Sequence, residues 1–151
     1  MGPERRASVI PTRWLGILKA IKETIEVQVG SFTLRPDGIL HAIIDIPEPP
    51  TTETAEEHVA ARTELAGPKT PPLLLEIVQV PYAERSVRSF LMDTMPPPPC
   101  RAVVVSDPTL MTIYRTYELV ADRPVPTEMF PTVEAAVDWI PASHPYRSSF
   151  R

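Results

Sequence analysis

The sequence predicts an α/β domain with a mixed, mostly parallel sheet of about five strands and four helices, in the order β-β-α-β-α-β-α-β-α. Two short runs, 73–80 and 101–106, are almost continuously apolar, which is typical of strands covered by helices on both faces. Segments with the apolar spacing of helices follow both runs. Strands that alternate with helices imply parallel pairing, and an opening hairpin adds an antiparallel element.

The opening hairpin is predicted from alternation and from a turn. Apolar residues alternate with polar ones from Ile25 to Leu34, as in a half-buried strand. The alternation changes phase at Gly30, which predicts a bulge or a break there. A turn signal, Arg-Pro-Asp-Gly, follows at residues 35–38, because proline presets one dihedral and glycine accepts a positive φ. Ile39–Ile46 then returns as the second strand.

The first two helices flank the predicted central strand. The first starts near Thr54, which has the spacing of a capping box with Glu57. It ends at about Ala66, because a Gly-Pro pair follows. The central strand ends at Pro81, since proline cannot donate a hydrogen bond to the sheet. The second helix follows that proline and ends at Met95.

The last two helices and the last strand are predicted from capping residues and prolines. Asp107 and Pro108 have the arrangement of an N-cap followed by a first-turn proline. Val125–Phe130 is bounded by prolines and is therefore placed at a sheet edge. Thr132 caps the final helix. The inward face of that helix is expected to comprise Val133, Ala136, Val137 and Ile140.

The predicted domain spans residues 25–140, between an N-terminal extension (1–24) and a tail (141–151). Residues 10–21 approximate helical spacing, which predicts either a terminal helix packed on the domain or a basic anchor for a membrane surface. We expect no membrane insertion, because every apolar run is shorter than the ~20 residues that cross a bilayer. No signal peptide is predicted, and a soluble cytoplasmic protein is expected.

Composition excludes several classes of function. The net charge of −4 disfavours a nucleic-acid binder, which normally carries a basic face. The single cysteine, Cys100, excludes an internal disulfide and a multi-cysteine zinc site. His41, His58 and His144 lack the spacing of metal ligands. Walker loops, Rossmann glycines and nucleophile elbows are missing, so we predict no catalytic residue, metal or cofactor. Glu76, inside the central strand, is expected to be satisfied by backbone donors or by Arg101.

The turn after the central strand is the candidate site, because ligands and partners usually meet α/β sheets at the carboxyl ends of strands. The alternative is that these residues are solvated groups at a helix start. The candidate partner-binding residues are Tyr82, Glu84, Arg85, Ser86 and Arg88.

Three segments resemble the STAS-like superfamily (sulfate transporter and anti-sigma factor antagonist domains), in particular its stand-alone bacterial branch. They are Asp37–Ile44, Leu73–Val80 with Arg85 and Arg88, and Phe130–Ile140. The resemblance implies a mixed sheet of about five strands with packed helices. It also implies a regulatory role through protein contacts.

In anti-sigma factor antagonists, a serine after the central strand accepts a phosphate that switches partner binding. The resemblance places Glu84, Arg85, Ser86 and Val87 at the motif Asp-Ser-Ser-Gly. Arg85 thus stands at the acceptor position and cannot be phosphorylated in that chemistry. The expectation is a non-enzymatic regulatory protein that binds a protein partner. A homodimer is also expected, because the edge strand and the apolar hairpin need cover. The alternative is a small-ligand binder or cryptic enzyme with a pocket near Glu76, Pro81 and Ser106.

Overall fold

The computed structural model describes residues 23–119 and 125–143, with the side chains of 23–115 and 125–140. The expectations for residues 1–22 and for the end of the tail lie outside these ranges.

The described residues form one six-stranded sheet with the spatial order β1–β2–β3–β4–β5–β6. The strands β1, β2 and β3 pair antiparallel, and β3 to β6 pair parallel. The fold class and the mixed sheet are therefore confirmed, and β6 lies at an edge as expected. The strands are β1 (Glu23–Val27), β2 (Gly30–Leu34), β3 (Leu40–Asp45), β4 (Leu73–Gln79), β5 (Arg101–Val104) and β6 (Thr127–Phe130).

Four helices follow β3, β4, β5 and β6 within the described ranges. They are α1 (Thr52–Ala66), α2 (Arg85–Thr94), α3 (Pro108–Leu119) and α4 (Val133–Ser143). None of these helices has the length and apolar content needed to cross a bilayer.

The sheet has one strand more than predicted, because the change of phase at Gly30 marks a turn between two strands. Val27 pairs with Gly30 across this turn. Gly30 has a backbone φ of +148°, which L-residues with a side chain rarely adopt. It also pairs with Ile44 of β3. A glycine is needed here because a Cβ would overlap the carbonyl oxygen of Ile43.

Helices cover the sheet on two faces and create two apolar cores. On one face, Phe32, Leu75 and Val103 belong to a core completed by α1 and α3. On the other face, Leu74 and Val104 pack against α4. The two cores follow from the alternation of side chains along each strand. α2 packs against α1, on the first of these faces.

The predicted caps of α3 and α4 are confirmed, whereas the predicted cap of α1 is wrong. Asp107 accepts a hydrogen bond from the backbone of Thr109 (2.8 Å), and Thr132 accepts one from Ala135 (3.2 Å). α1 instead uses Thr51 as its N-cap, with a capping box completed by Thr54. Threonine can replace glutamate in that role because its hydroxyl accepts a hydrogen bond from the backbone N–H of Thr51 at 2.8 Å.

Glu57, the residue expected in the capping box, connects α1 to the turn between β1 and β2. Its two carboxylate oxygens accept hydrogen bonds from the backbone and the side chain of Gln28, at 3.3 Å and 3.1 Å. This contact positions the start of α1 over the antiparallel end of the sheet.

Candidate ligand-binding cavity

A cavity of about 990 Å³ lies between the sheet and helices α1, α2 and α3. Its floor includes Ile44, Leu73 and Ile77, on the face of the sheet that carries the first core. Helix α2 is short, and Val87 is its one buried residue. The helix packs against α1. Space therefore remains between α2 and the strands below it. A volume of this order is typical of sites for small molecules.

The inward face of α1 carries two polar residues into this cavity. The stripe Ala55, His58, Arg62 and Leu65 has helical spacing, and its two ends are buried in the protein. His58 packs against the ring of Phe32, with the ring centroids 4.8 Å apart. Its Nε2 is buried and has no hydrogen-bond partner. Other atoms of His58 line the cavity beside Arg62.

His58 is held in its neutral form. Burial lowers its pKa to about 3, and the positive charge of Arg62 lowers it further as a smaller effect. A neutral imidazole can accept or donate one hydrogen bond at each ring nitrogen, depending on the tautomer.

Arg62 places a charged guanidinium beside the same apolar wall. Its pKa is lowered to about 10, first by burial and then by the charge of Arg101, while Tyr114 acts in the opposite direction. The group therefore stays charged at neutral pH. Arg62 forms no ion pair with any described residue. Such a cation, held among apolar groups, favours an anion as its partner.

The charged side chains in the described lining of the cavity are all arginines. Four arginines line it: Arg62, Arg85, Arg88 and Arg101. Among the described residues that line it, there is no aspartate or glutamate. The remaining lining is dominated by aliphatic side chains and prolines. In such apolar surroundings, the attraction between an arginine and an anion is stronger than in water.

The sequence-predicted site is only partly assembled at this cavity. Tyr82, Arg85 and Arg88 line it on the side where the strands end, and this group is called the entrance patch below. Tyr82 is 65% exposed. Arg88 holds it in place by donating from Nη2 to the Tyr82 hydroxyl at 3.0 Å and from Nε to the carbonyl of Ala83 at 3.0 Å.

The other two predicted residues lie outside the cavity. Glu84 is the N-cap of α2 and makes no capping hydrogen bond with its side chain. Ser86 is exposed in the first turn of that helix. Neither residue lines the cavity, so they remain candidates for partner binding only.

The predicted pocket near Glu76, Pro81 and Ser106 is corrected by the structure. Pro81 lines the cavity, but Glu76 and Ser106 do not. Glu76 points to the opposite face of the sheet, where its Oε1 lies 3.0 Å from His41 Nε2. The expected contact with Arg101 is wrong because Arg101 is in register with Leu73, three positions from Glu76, and side chains alternate between faces.

Sequence reasoning missed the group formed by His58, Arg62 and Arg101. A signal for part of it was present, since His58 and Arg62 interrupt a stripe whose other members, Ala55 and Leu65, are apolar. Polar residues at the inward positions of an amphipathic helix either find partners in the core or face a cavity. Arg101 belongs to another element, and only the fold brings it to this group.

A family model matches residues 32–143, which is more than half of the 151-residue chain. The chain belongs to the DUF7793 family. The description of this family is a domain of unknown function. No curated protein and no solved structure matches the chain. The match to DUF7793 starts within β2 and ends with α4, and it includes every described residue of the cavity lining except Val29.

Proposed function

We propose that this DUF7793 protein binds a small molecule in the cavity between the sheet and helices α1, α2 and α3. The observation that carries the proposal is the combination of apolar walls with arginines and an unpartnered histidine nitrogen. Pockets that bind small molecules are mostly apolar and contain a few polar groups that orient the ligand. His58 and Arg62 supply such groups here.

A test of this function uses the neutral dye Nile red and two tryptophan variants of α2. Ser89 lines the cavity and is otherwise exposed, so that Ser89→Trp fills space without disturbing a core. We expect the wild-type chain to bind the dye with increased fluorescence, and Ser89→Trp to weaken binding at least about tenfold, a loss of ~1.4 kcal/mol.

Ser86→Trp is the matched control, because Ser86 is exposed on the same helix but does not line the cavity. It is expected to bind Nile red as the wild type does. Equal loss of binding in both variants, or no binding to the wild type, would contradict a site in the cavity.

The second candidate function is the binding of a regulatory protein partner at the turn after β4, in the cytoplasm. The resemblance to STAS-like domains supports this proposal, and so does the exposed ring of Tyr82. Arg88 stabilises that ring, with its guanidinium carbon 5.3 Å from the ring centroid. Exposed tyrosine and arginine side chains held in place are enriched at the centres of protein interfaces. Pairing of two copies through an edge strand stays a prediction.

Partner binding is tested by Arg85→Glu in a tagged full-length chain. Arg85 is exposed, so we expect the charge reversal to leave folding intact and to remove the partner that the wild type retains from a lysate of the native host. Arg115→Glu makes the same change of charge at an exposed position of α3 that does not line the cavity, and it should keep the partner. A partner that Arg85→Glu retains would exclude the entrance patch as its binding surface.

A further inference from the structure

We propose that the ligand of the cavity is an acyl chain that ends in a carboxylate, with the carboxylate held by Arg62 and Arg101. This inference rests on the proposed small-molecule function. It adds the chemical class of the ligand and its orientation.

The charged end of the cavity is built from three elements. Arg62 lies near the C-terminal end of α1, and Arg101 is the first residue of β5. Tyr114 of α3 and His58 of α1 complete the group, because both lie close to Arg62. The charge of Arg62 lowers the pKa of His58, and Tyr114 raises the pKa of Arg62. A carboxylate bound by guanidinium groups forms short, charge-assisted hydrogen bonds. It would also reduce the repulsion between the two arginines.

The position of His58 strengthens this assignment. His58 lines the cavity, and its imidazole is held neutral by burial, so it does not add a third positive charge beside Arg62 and Arg101. A carboxylate held by Arg62 would lie near this imidazole, because both side chains project from the same face of α1. The head group of the ligand would therefore pair with Arg62, which forms no ion pair with any described residue, and would lie beside His58.

The remainder of the cavity suits an aliphatic chain. Leu73, Ile77 and Val80 line it from the start of β4 to just beyond its end. These positions span roughly 23 Å at ~3.3 Å per residue, which is long enough for an extended acyl chain of about 12 to 16 carbons. The entrance patch, at the carboxyl ends of the strands, would then lie at the far end of the chain from the carboxylate.

A nucleotide fits this lining less well than an acyl chain. Among the described lining residues there is no asparagine, glutamine, aspartate or glutamate to pair with the edge of a base or with ribose hydroxyls. Polar groups that are buried without partners lower affinity. The ring of Tyr82, which could stack on a base, lies at the entrance, far from the charged end of the cavity, and Arg88 already contacts it.

The test is competition for Nile red in the delipidated full-length chain, with dodecanoate, dodecan-1-ol and ATP as the competitors. Dodecanoate and dodecan-1-ol share the alkyl chain and differ in charge. We expect dodecanoate to displace the dye at a concentration at least about tenfold lower than dodecan-1-ol requires, and ATP to displace it weakly.

Arg62→Gln is expected to bind Nile red but to lose the preference for dodecanoate. Arg115→Gln removes the same charge from an exposed position outside the cavity and should keep that preference. Circular dichroism and the unfolding temperature establish that Arg62→Gln is folded. Its unfolding temperature without ligand should not fall, because the substitution removes a charge that is held among apolar groups.

The outcomes separate this inference from the proposed function. If Nile red binds and the two alkyl compounds compete equally, or ATP competes best, the carboxylate assignment is overturned while the cavity remains a binding site. If Arg115→Gln loses the preference as Arg62→Gln does, the effect comes from overall charge and the assignment also fails. If Nile red does not bind, the proposed function itself fails.

Discussion

Replacing Gly30 with alanine is expected to destabilise the domain by about 3 kcal/mol or more. Two effects add at this position. A φ of +148° is strained for any residue with a side chain, and the new Cβ would overlap the carbonyl oxygen of Ile43. Relief of that overlap requires β2 to move away from β3. Because Phe32 in the centre of β2 is fully buried, such a movement would disturb the first core.

Gly67→Ala provides the matched comparison. Gly67 ends α1 with a φ of +63°, but a Cβ there meets nothing within 4 Å. The expected loss is smaller, about 1 to 3 kcal/mol, because only the backbone conformation, with φ +63° and ψ −139°, is unfavourable for a residue with a side chain. Urea unfolding of both variants measures the two losses. Equal losses would show that the close approach of β2 and β3 at Gly30 does not limit stability.

The stability of the domain is expected to fall in mild acid because of His58. Its pKa is about 3 in the folded chain and 6.5 when unperturbed. Between these values the unfolded chain binds a proton that the folded chain does not bind, so stability falls as the pH falls through this range. For His58 alone, the loss is about 2 kcal/mol between about pH 7.5 and pH 5, at ~1.4 kcal/mol per pH unit below the unperturbed pKa.

His58→Gln should remove this part of the pH dependence. Glutamine cannot take up the proton, whatever the effect of the substitution on stability at neutral pH. The measurement is the free energy of unfolding from urea titrations over the same pH range, compared with the wild type. His58→Asn is a second neutral variant that separates titration from packing against Phe32. The same acid dependence in both variants as in the wild type would mean that His58 does not titrate in this way.

Much of the fold could be predicted because its signals are local. Pro81 lies two residues after the end of β4, and Gly67 ends α1. Asp107 and Thr132 cap the helices that follow them. Each of these residues acts through its own backbone geometry or a hydrogen bond to a residue two or three positions away. Such local effects can be recognised in a single sequence.

The opening of the chain was predicted less well for the same reason. The change of phase at Gly30 showed that the pattern is interrupted, but a bulge and a turn produce the same interruption. The pairing of Gly30 with both Val27 and Ile44 decides between them. That pairing depends on β3, which is formed by residues well beyond the turn.

The candidate site is the part of the molecule that was predicted least completely from the sequence. The order of elements from β3 onward could be predicted from the sequence, as could most of their ends and the position of Tyr82, Arg85 and Arg88 after the central strand. That these residues share a cavity with His58 and Arg62 of α1 and with Arg101 of β5 follows from the packing of the helices on the sheet. The structure also shows that Glu76 faces away from them, toward His41. The physical reason is that a cavity and its charge depend on packing between elements distant in the chain, whereas caps and turns depend on neighbours.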